Sequence, residues 1–365
     1  MTDKKYLFVD SHQDIAWNML SFRRDYRHTV AETRAREKAT QIPEWNQDTI
    51  LGRDAYKESK TALVFSTLFA SPIRHKEGEW DNNCYKDFDE AREMYRKHID
   101  VYHRLSEEQP DSFQLITNQE QLNAHLSLWE EPQEDHPVGL VVSMEGAEGI
   151  RHPEELEEWW NLGLRMIGPA WAGTRYSGGT REPGPLTKDG YALLDAMADH
   201  GFILDISHMD EEAVFQSIDH YPKRIIASHA NPLGMMKGSD SNRFLSDRVI
   251  EGIIEREGII GVVIYNVFLK HGWVKNDPRE DVSLTLVADH IDYICQIAGN
   301  AKHVGIGSDA DGGFGLQSLP MGFDSLGDVQ KIPTLLAQKG YSDKDIAGIM
   351  GKNWIGFLKN SLPET

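Results

Sequence analysis

The chain is predicted to fold as a (β/α)8 barrel. Three observations carry that expectation. Eight short apolar, β-branched runs recur along the chain, amphipathic stretches of helical period lie between them, and histidines and carboxylates cluster just after the runs. Near-continuous apolar strands are what a parallel sheet buried on both faces requires. The competing architecture from pattern alone is an open, doubly wound sheet.

The strands are read as follows. Lys5 to Val9 is the first and Thr61 to Ala70 the second; Val138 to Ser143 and Leu164 to Ile167 follow. Phe202 to Ile206, Arg224 to Ala227, Gly258 to Tyr265 and His303 to Gly307 complete the eight. Helices are expected over Phe88 to Leu105, Gly190 to His200, Glu211 to Ile218, Ser246 to Glu257 and Leu284 to Ala298, with Asp247 and Asp281 as early-helix or capping acids. Two regions exceed a minimal barrel. Residues 20–60 form a long charged connection after strand one, with a helix over Ala31 to Lys38. Such a connection reads either as a lid or rim over a site, or as a solvated helix with no part in chemistry. From Ser325 the chain reads as closing helices, including Asp343 to Met350 and Lys352 to Lys359. No Pro/Ser linker and no internal repeat divides the sequence, so residues 1–365 are expected to form one domain.

Composition narrows the function. Hydrophobic residues are 40% and charged residues 26% of 365, a globular balance. A formal net charge of -20 argues against nucleic-acid or anionic-membrane partners. The first residues lack the apolar core of a signal peptide, and no run approaches membrane-spanning length. Two cysteines, Cys84 and Cys295, are too few for a disulfide framework, so reduced thiols and a cytoplasmic setting are expected.

The strand ends carry the chemistry. His12 and Asp14 follow strand one, Glu145 strand three, His208 strand five, His229 strand six, and Asp309 and Asp311 strand eight. In a barrel these positions converge on the C-terminal face. Residues two apart in a strand share a face, so His12 and Asp14 are expected side by side. Taken singly, each has an ordinary alternative. His-x-Asp is a short pattern, Glu145 competes with Glu148, single histidines are usually structural, and Asp-x-Asp-Gly is common in turns. Together they mark the ends of five strands of eight, while the strand starts hold only His303, read as structural. Three histidines and several carboxylates suit zinc or a similar divalent ion. The ligands suffice for two ions, which a two-oxygen carboxylate such as Glu145 can bridge. Paired metals hold a hydroxide at neutral pH, and an acidic residue then moves its proton to the leaving group.

These residues resemble the membrane (renal-type) dipeptidase family of the amidohydrolase superfamily, over nearly the whole length. The resemblance rests on His12-x-Asp14, Met144-Glu145-Gly146, Asp205-Ile-Ser-His208, Ser228-His229, Arg243, the run from His303 to Asp311-Gly, and Gly351-Lys352-Asn353-Trp354. It implies a dinuclear zinc site, with His12 and Asp14 on one ion, His208 and His229 on the other, and Glu145 bridging. It implies Asp309 as acid/base and Arg243 as the grip on the substrate carboxylate. Without the resemblance, Arg243 would read as a surface loop residue. The family commonly places a histidine after strand four to help hold the substrate carbonyl oxygen; this chain has Trp171 there. Indole has one N–H donor and cannot be charged, so Trp171 serves as a donor or as an apolar wall. Tyr176 and Tyr265 are alternative donors.

The expected activity is a zinc dipeptidase acting on small dipeptides, including those with a D-residue at the C-terminal side, through a metal-bridging hydroxide. Trp171 and the 20–60 insertion motivate an alternative within the superfamily: hydrolysis of another amide, an N-acyl amino acid or a lactone. A non-catalytic metal-binding protein is the reading from a different class. The family tendency makes a homodimer the expected assembly.

Overall fold

A computed structural model describes residues 4–132 and 135–365. Eight parallel strands form its centre: β1 (Phe8–Gln13), β2 (Thr61–Phe69), β3 (Val138–Glu145), β4 (Leu164–Gly168), β5 (Ile203–Asp205), β6 (Ile225–Ile226), β7 (Ile260–Val262) and β8 (Val304–Ile306). They pair in the order β6-β5-β4-β3-β2-β1-β8-β7. A parallel bridge between Ala227 and Ile260 joins the ends of that order, so the sheet closes into the expected barrel. The Gly261 N–H donates to the Ala227 carbonyl at 2.8 Å across this seam. A short strand, Phe113–Leu115, that the sequence reading did not mark, runs parallel to the start of β3.

The helices arise where the apolar period placed them: Phe88–Glu108, Lys188–His200, Glu211–His220, Asp247–Glu255 and Thr285–Ala298. Side chains of Asp87, Thr187, Asp210 and Ser246 accept backbone N–H groups at the starts of the first four. Asp247 stands in its helix's first turn behind the Ser246 cap. Asp281 differs from expectation: it belongs to the 3-10 turn Arg279–Asp281, and the next helix begins only at Thr285. No helix among the described residues is long and apolar enough to cross a membrane. Cys84 and Cys295 are buried free thiols.

Inside the N-terminal end of the barrel, Val9, Leu63, Phe65, Val141, Met166, Ile203 and Ile226 form one apolar cluster with Trp354. Trp354 comes from the C-terminal helix Asn353–Lys359 and meets Phe65 edge-on at 5.0 Å. A Cβ on Gly305 would lie 2.2 Å from the Trp354 Nε1, so glycine in β8 is what admits the indole. This floor leaves the opposite, C-terminal end for polar side chains.

Of the two readings of the 20–60 segment, a lid or rim over the site or a helix with no part in chemistry, the cavity lining does not support the first. The segment's helices Val30–Glu37, Ile42–Asn46 and Arg53–Ser59 pack beside the barrel, and no residue of 20–60 lines the central cavity. Its polar groups converge on Asp311, which is fully buried. The Ile50 N–H donates to Asp311 at 3.0 Å, the Tyr26 hydroxyl at 3.1 Å, and Arg24 pairs with it at 3.1 Å; Thr49 also donates. Asp311 is therefore the anchor of the insertion and stands outside the histidine cluster. The segment that does overhang the cavity follows β2, at residues 71–81.

Candidate active site

The cavity at the C-terminal end of the barrel has a volume of about 310 Å³ and is lined by residues from after seven of the eight strands. At its base the structure brings together His12, Asp14, Glu145, His208, His229 and Asp309.

His12 and Asp14 reach this point by a route the pleat alone does not provide. Between Asp10 and Gln13, β1 advances three residues while β2 advances two, from Val64 to Ser66. The resulting bulge re-aims His12. Asp14 lies beyond the strand, at the N-cap of helix Ile15–Phe22, but makes no capping hydrogen bond. Its carboxylate is thereby left for the cluster, 3.8 Å from the His12 Nε2.

Glu145 is the last residue of β3 and sits at the centre. Its Oε2 is 3.4 Å from the His12 Nε2; its Oε1 is 2.8 Å from the His208 Nε2 and 3.4 Å from the His229 Nε2. The two histidine Nε2 atoms are 3.0 Å apart. Glu148, the competing acid, is turned away and accepts the Arg175 N–H at 3.0 Å. Asp309 faces His12 at 3.9 Å from a left-handed backbone (φ 58°) that non-glycine residues seldom adopt.

Two buried aspartates that the sequence reading gave no role hold this geometry. Asp10 accepts the Ser308 N–H at 2.7 Å and its hydroxyl at 2.5 Å, fixing the turn into Asp309. Asp205 accepts the Ser228 N–H at 3.0 Å and the Ser207 hydroxyl at 2.6 Å, fixing the turns into His229 and His208. The His208 Nδ1 meets the Thr180 hydroxyl at 2.9 Å and the His229 Nδ1 meets the Ser228 hydroxyl at 2.8 Å, so both Nε2 atoms point to the cluster. The strand-end Asp-x-Ser pattern, Asp205-Ile-Ser207, was the available signal; Asp10 and Ser308 lie too far apart in sequence to show it.

The electrostatics describe a site built for cations. Burial opposes charge on His12, yet Glu145, Asp14 and Asp309 hold its imidazole up at about 10. Burial opposes ionisation of Glu145, but His12 and His208 outweigh it and keep the carboxyl well below its usual range. Burial, with Arg243 adding, brings His208 down to about 4; burial and His12 keep His229 well below its usual value. Neutral His208 and His229 and ionised Glu145 are in the forms that ligate metal, whereas His12 holds a proton among the three carboxylates and burial raises Asp14 to about 7, so on that side a proton stands where a metal ion would displace it. The His12 Nε2 and Asp14 Oδ1 are buried without a hydrogen-bond partner among the described residues. Buried polar atoms left without a partner, in a histidine and carboxylate set without thiols, fit one or more divalent ions.

Around this base stand the remaining candidates. Arg243, 3% exposed, donates through its two terminal nitrogens to the Ser207 and His229 carbonyls at 2.7 and 2.6 Å, while its Nε has no partner. Trp171 forms the wall after β4, between Phe69 (5.1 Å), His75 (5.8 Å) and His208 (6.3 Å). Tyr265 lines the cavity, stacked on Phe314 at 4.0 Å. Tyr176 does not reach it: it is fully buried and donates to the Ile150 carbonyl. His303, as expected, is structural, with its Nδ1 2.9 Å from the Gly258 carbonyl. Sequence reading missed the aromatic lining from Trp17, Phe69, Trp80 and Phe268.

A parallel barrel with a histidine and carboxylate cluster at its C-terminal end, under a cavity of this size, has the architecture of a metal-dependent barrel enzyme. The membrane dipeptidase family, peptidase family M19, matches residues 3–361, and the chain belongs to that family. An uncharacterised protein encoded 5' of pqqA in Klebsiella pneumoniae is 32% identical over 62% of this chain and 84% of its own length. An uncharacterised dipeptidase of Schizosaccharomyces pombe is 27% identical over 74% of this chain; the match spans 63% of that relative. A metallopeptidase of Rhodobacter sphaeroides, solved with a phosphinate mimic of L-Ala-D-Ala, shares the fold at a TM-score of 0.77 and 22% identity, over 98% of this chain and 100% of that one.

Proposed function

We propose that the chain is a dinuclear dipeptidase using zinc or a similar divalent ion. The observation that carries this reading is the placement of Glu145, whose Oε2 faces His12 and whose Oε1 faces His208 and His229, at the centre of a cluster in which His12 stacks on His229 at 3.6 Å. In this reading His12 and Asp14 hold one ion, His208 and His229 the other, and Glu145 is shared. Ions bound there supply a hydroxide nucleophile at neutral pH and polarise the scissile carbonyl. Arg243 offers its free Nε–H to the substrate carboxylate, from a guanidinium already locked by two carbonyls. Asp309 moves the proton: burial, with Asp14 and Glu145 beside it, raises its carboxyl well above the usual range despite His12, so it can hold a proton for the leaving amine. Trp171 walls the substrate on the side where the family carries a histidine.

Metal analysis and a dipeptide panel test this. Two ions per chain are expected. The panel includes C-terminal D-residues, as in the mimic bound by the Rhodobacter sphaeroides neighbour. Asp309→Asn is expected to lower kcat by roughly 10²–10⁴-fold with metal content retained. If folded, metal-replete protein leaves every dipeptide intact, the peptidase reading fails. The second reading, cleavage of another amide, an N-acyl amino acid or a lactone, is favoured by Trp171, because an indole wall removes an ionisable donor from the carbonyl side. Screening those classes beside the panel separates the two.

A further inference from the structure

The rim of the cavity is chemically lopsided. Arg243 comes from the loop after β6. In the closed order of strands, β2 lies four places from β6 in either direction, diametrically across the barrel. The segment after β2 brings Glu77, Trp80 and Asp81 to the cavity, and helix Ile15–Phe22 adds Trp17 beside them. Asp81 is 5% exposed. Its Oδ2 accepts the Cys84 thiol at 2.9 Å and the Glu77 N–H at 3.4 Å. Its Oδ1 is buried with no hydrogen-bond partner among the described residues. The basic side chains of the same segment are committed elsewhere. Arg74 and His75 pair with Glu182 at 2.7 and 2.8 Å, and Lys76 turns to Glu79 at 3.5 Å.

Trp80 is held by other aromatic rings. It stacks on Trp45 at 5.6 Å, packs on Phe22 at 5.4 Å and meets Trp17 edge-on at 6.2 Å. A buried carboxylate with an unmatched oxygen is costly unless a cation meets it, and an indole face attracts a cation. The acids and the indoles of this wall suit the same ligand chemistry.

We propose that the β2 wall is a subsite for a cationic side chain on the amino-terminal residue of a dipeptide. The ammonium or guanidinium pairs with Asp81, lies against Trp80 and Trp17, and has Glu77 at the mouth. The assignment rests on the dipeptidase reading in one respect: a carboxylate anchored at Arg243 directs the other end of the substrate across the barrel to β2.

Matched substrates test it without altering the protein. Lysyl-alanine and norleucyl-alanine share the same α-ammonium and nearly the same side-chain volume, and differ in the terminal cation. The metal-loaded full-length chain is expected to favour the lysyl peptide by about tenfold or more in kcat/KM, chiefly through KM. In folded Asp81→Asn protein that ratio is expected to fall to within about threefold of unity. Equal rates in the unsubstituted protein, or a ratio that survives Asp81→Asn, overturn the subsite. If neither peptide is cleaved, the dipeptidase reading fails, and calorimetric titration with phosphinate isosteres of the two peptides decides the subsite separately. Tighter binding of the lysyl isostere then supports it; equal binding, or none, overturns it.

Discussion

Gly312 shows how little room Asp309, the proposed acid/base, has. A Cβ there would lie 2.3 Å from the Asp309 Oδ1, 2.8 Å from the Asp14 Oδ2 and 2.9 Å from the Asp309 carbonyl oxygen. Asp309 already occupies a left-handed backbone, and its N–H donates to the His12 carbonyl at 3.2 Å, so it has no easy retreat. Gly312→Ala must therefore displace one or both carboxylates. Misplacement of a catalytic group by about 1 Å costs on the order of 10²-fold in rate. The expected result is a kcat loss of that order, with the melting temperature changed far less than the rate, read by steady-state kinetics beside a thermal scan.

Among the elements, helix Phe88–Glu108 has a part that its amphipathic pattern did not announce. Its buried His98 accepts the Phe69 N–H through Nδ1 at 3.4 Å and meets the Asn83 side-chain oxygen through Nε2 at 3.3 Å. That arrangement needs a neutral ring, and burial brings its pKa down to about 3. The folded value lies below the ordinary histidine value near 6.5, so the unfolded chain takes up the proton first. Stability from this site is complete above about pH 6.5 and is lost as pH falls toward 3, with a slope approaching about 1.4 kcal/mol per pH unit. Denaturant titrations across that range should show His98→Gln losing less stability on acidification than the unsubstituted protein. Equal slopes would exclude a neutral buried His98. Because Phe69 and Ser71 line the cavity, the same helix ties its long packing face to the rim of the site.

At the scale of the whole molecule, the barrel separates stability from chemistry by end. Trp354 fills the N-terminal end and is fully buried, while the cluster around Glu145 occupies the C-terminal end. Trp354→Ala opens a cavity at the floor, where strands on every side fix the walls and limit collapse. A loss of about 3–5 kcal/mol in unfolding free energy is expected, measured by denaturant titration. Protein that remains folded should keep its metal content, since no ligand stands on that floor.

The eight runs, the helices between them and the order of histidines and carboxylates were legible because burial on both faces writes a strand as a continuous apolar run and amphipathicity writes a helix with a period of 3.6 residues. So was the location of the site, since parallel strands must end on one face. Proximity in three dimensions has no such local code. Asp311 follows Asp309 by two residues and carries the same chemistry, yet closure of the barrel against residues 20–60 made it an anchor. The His12–Asp14 pairing came from a bulge and a vacant helix cap rather than from the pleat. Asp10 and Ser308 meet across nearly the whole chain, and Trp80 faces the cavity because Trp45 and Phe22 hold it there. The sequence by itself determined the barrel, its chemical inventory and the end at which that inventory gathers. Tertiary structure alone decided which members of it touch, because contacts between distant residues depend on closure, register and packing rather than on neighbouring residues.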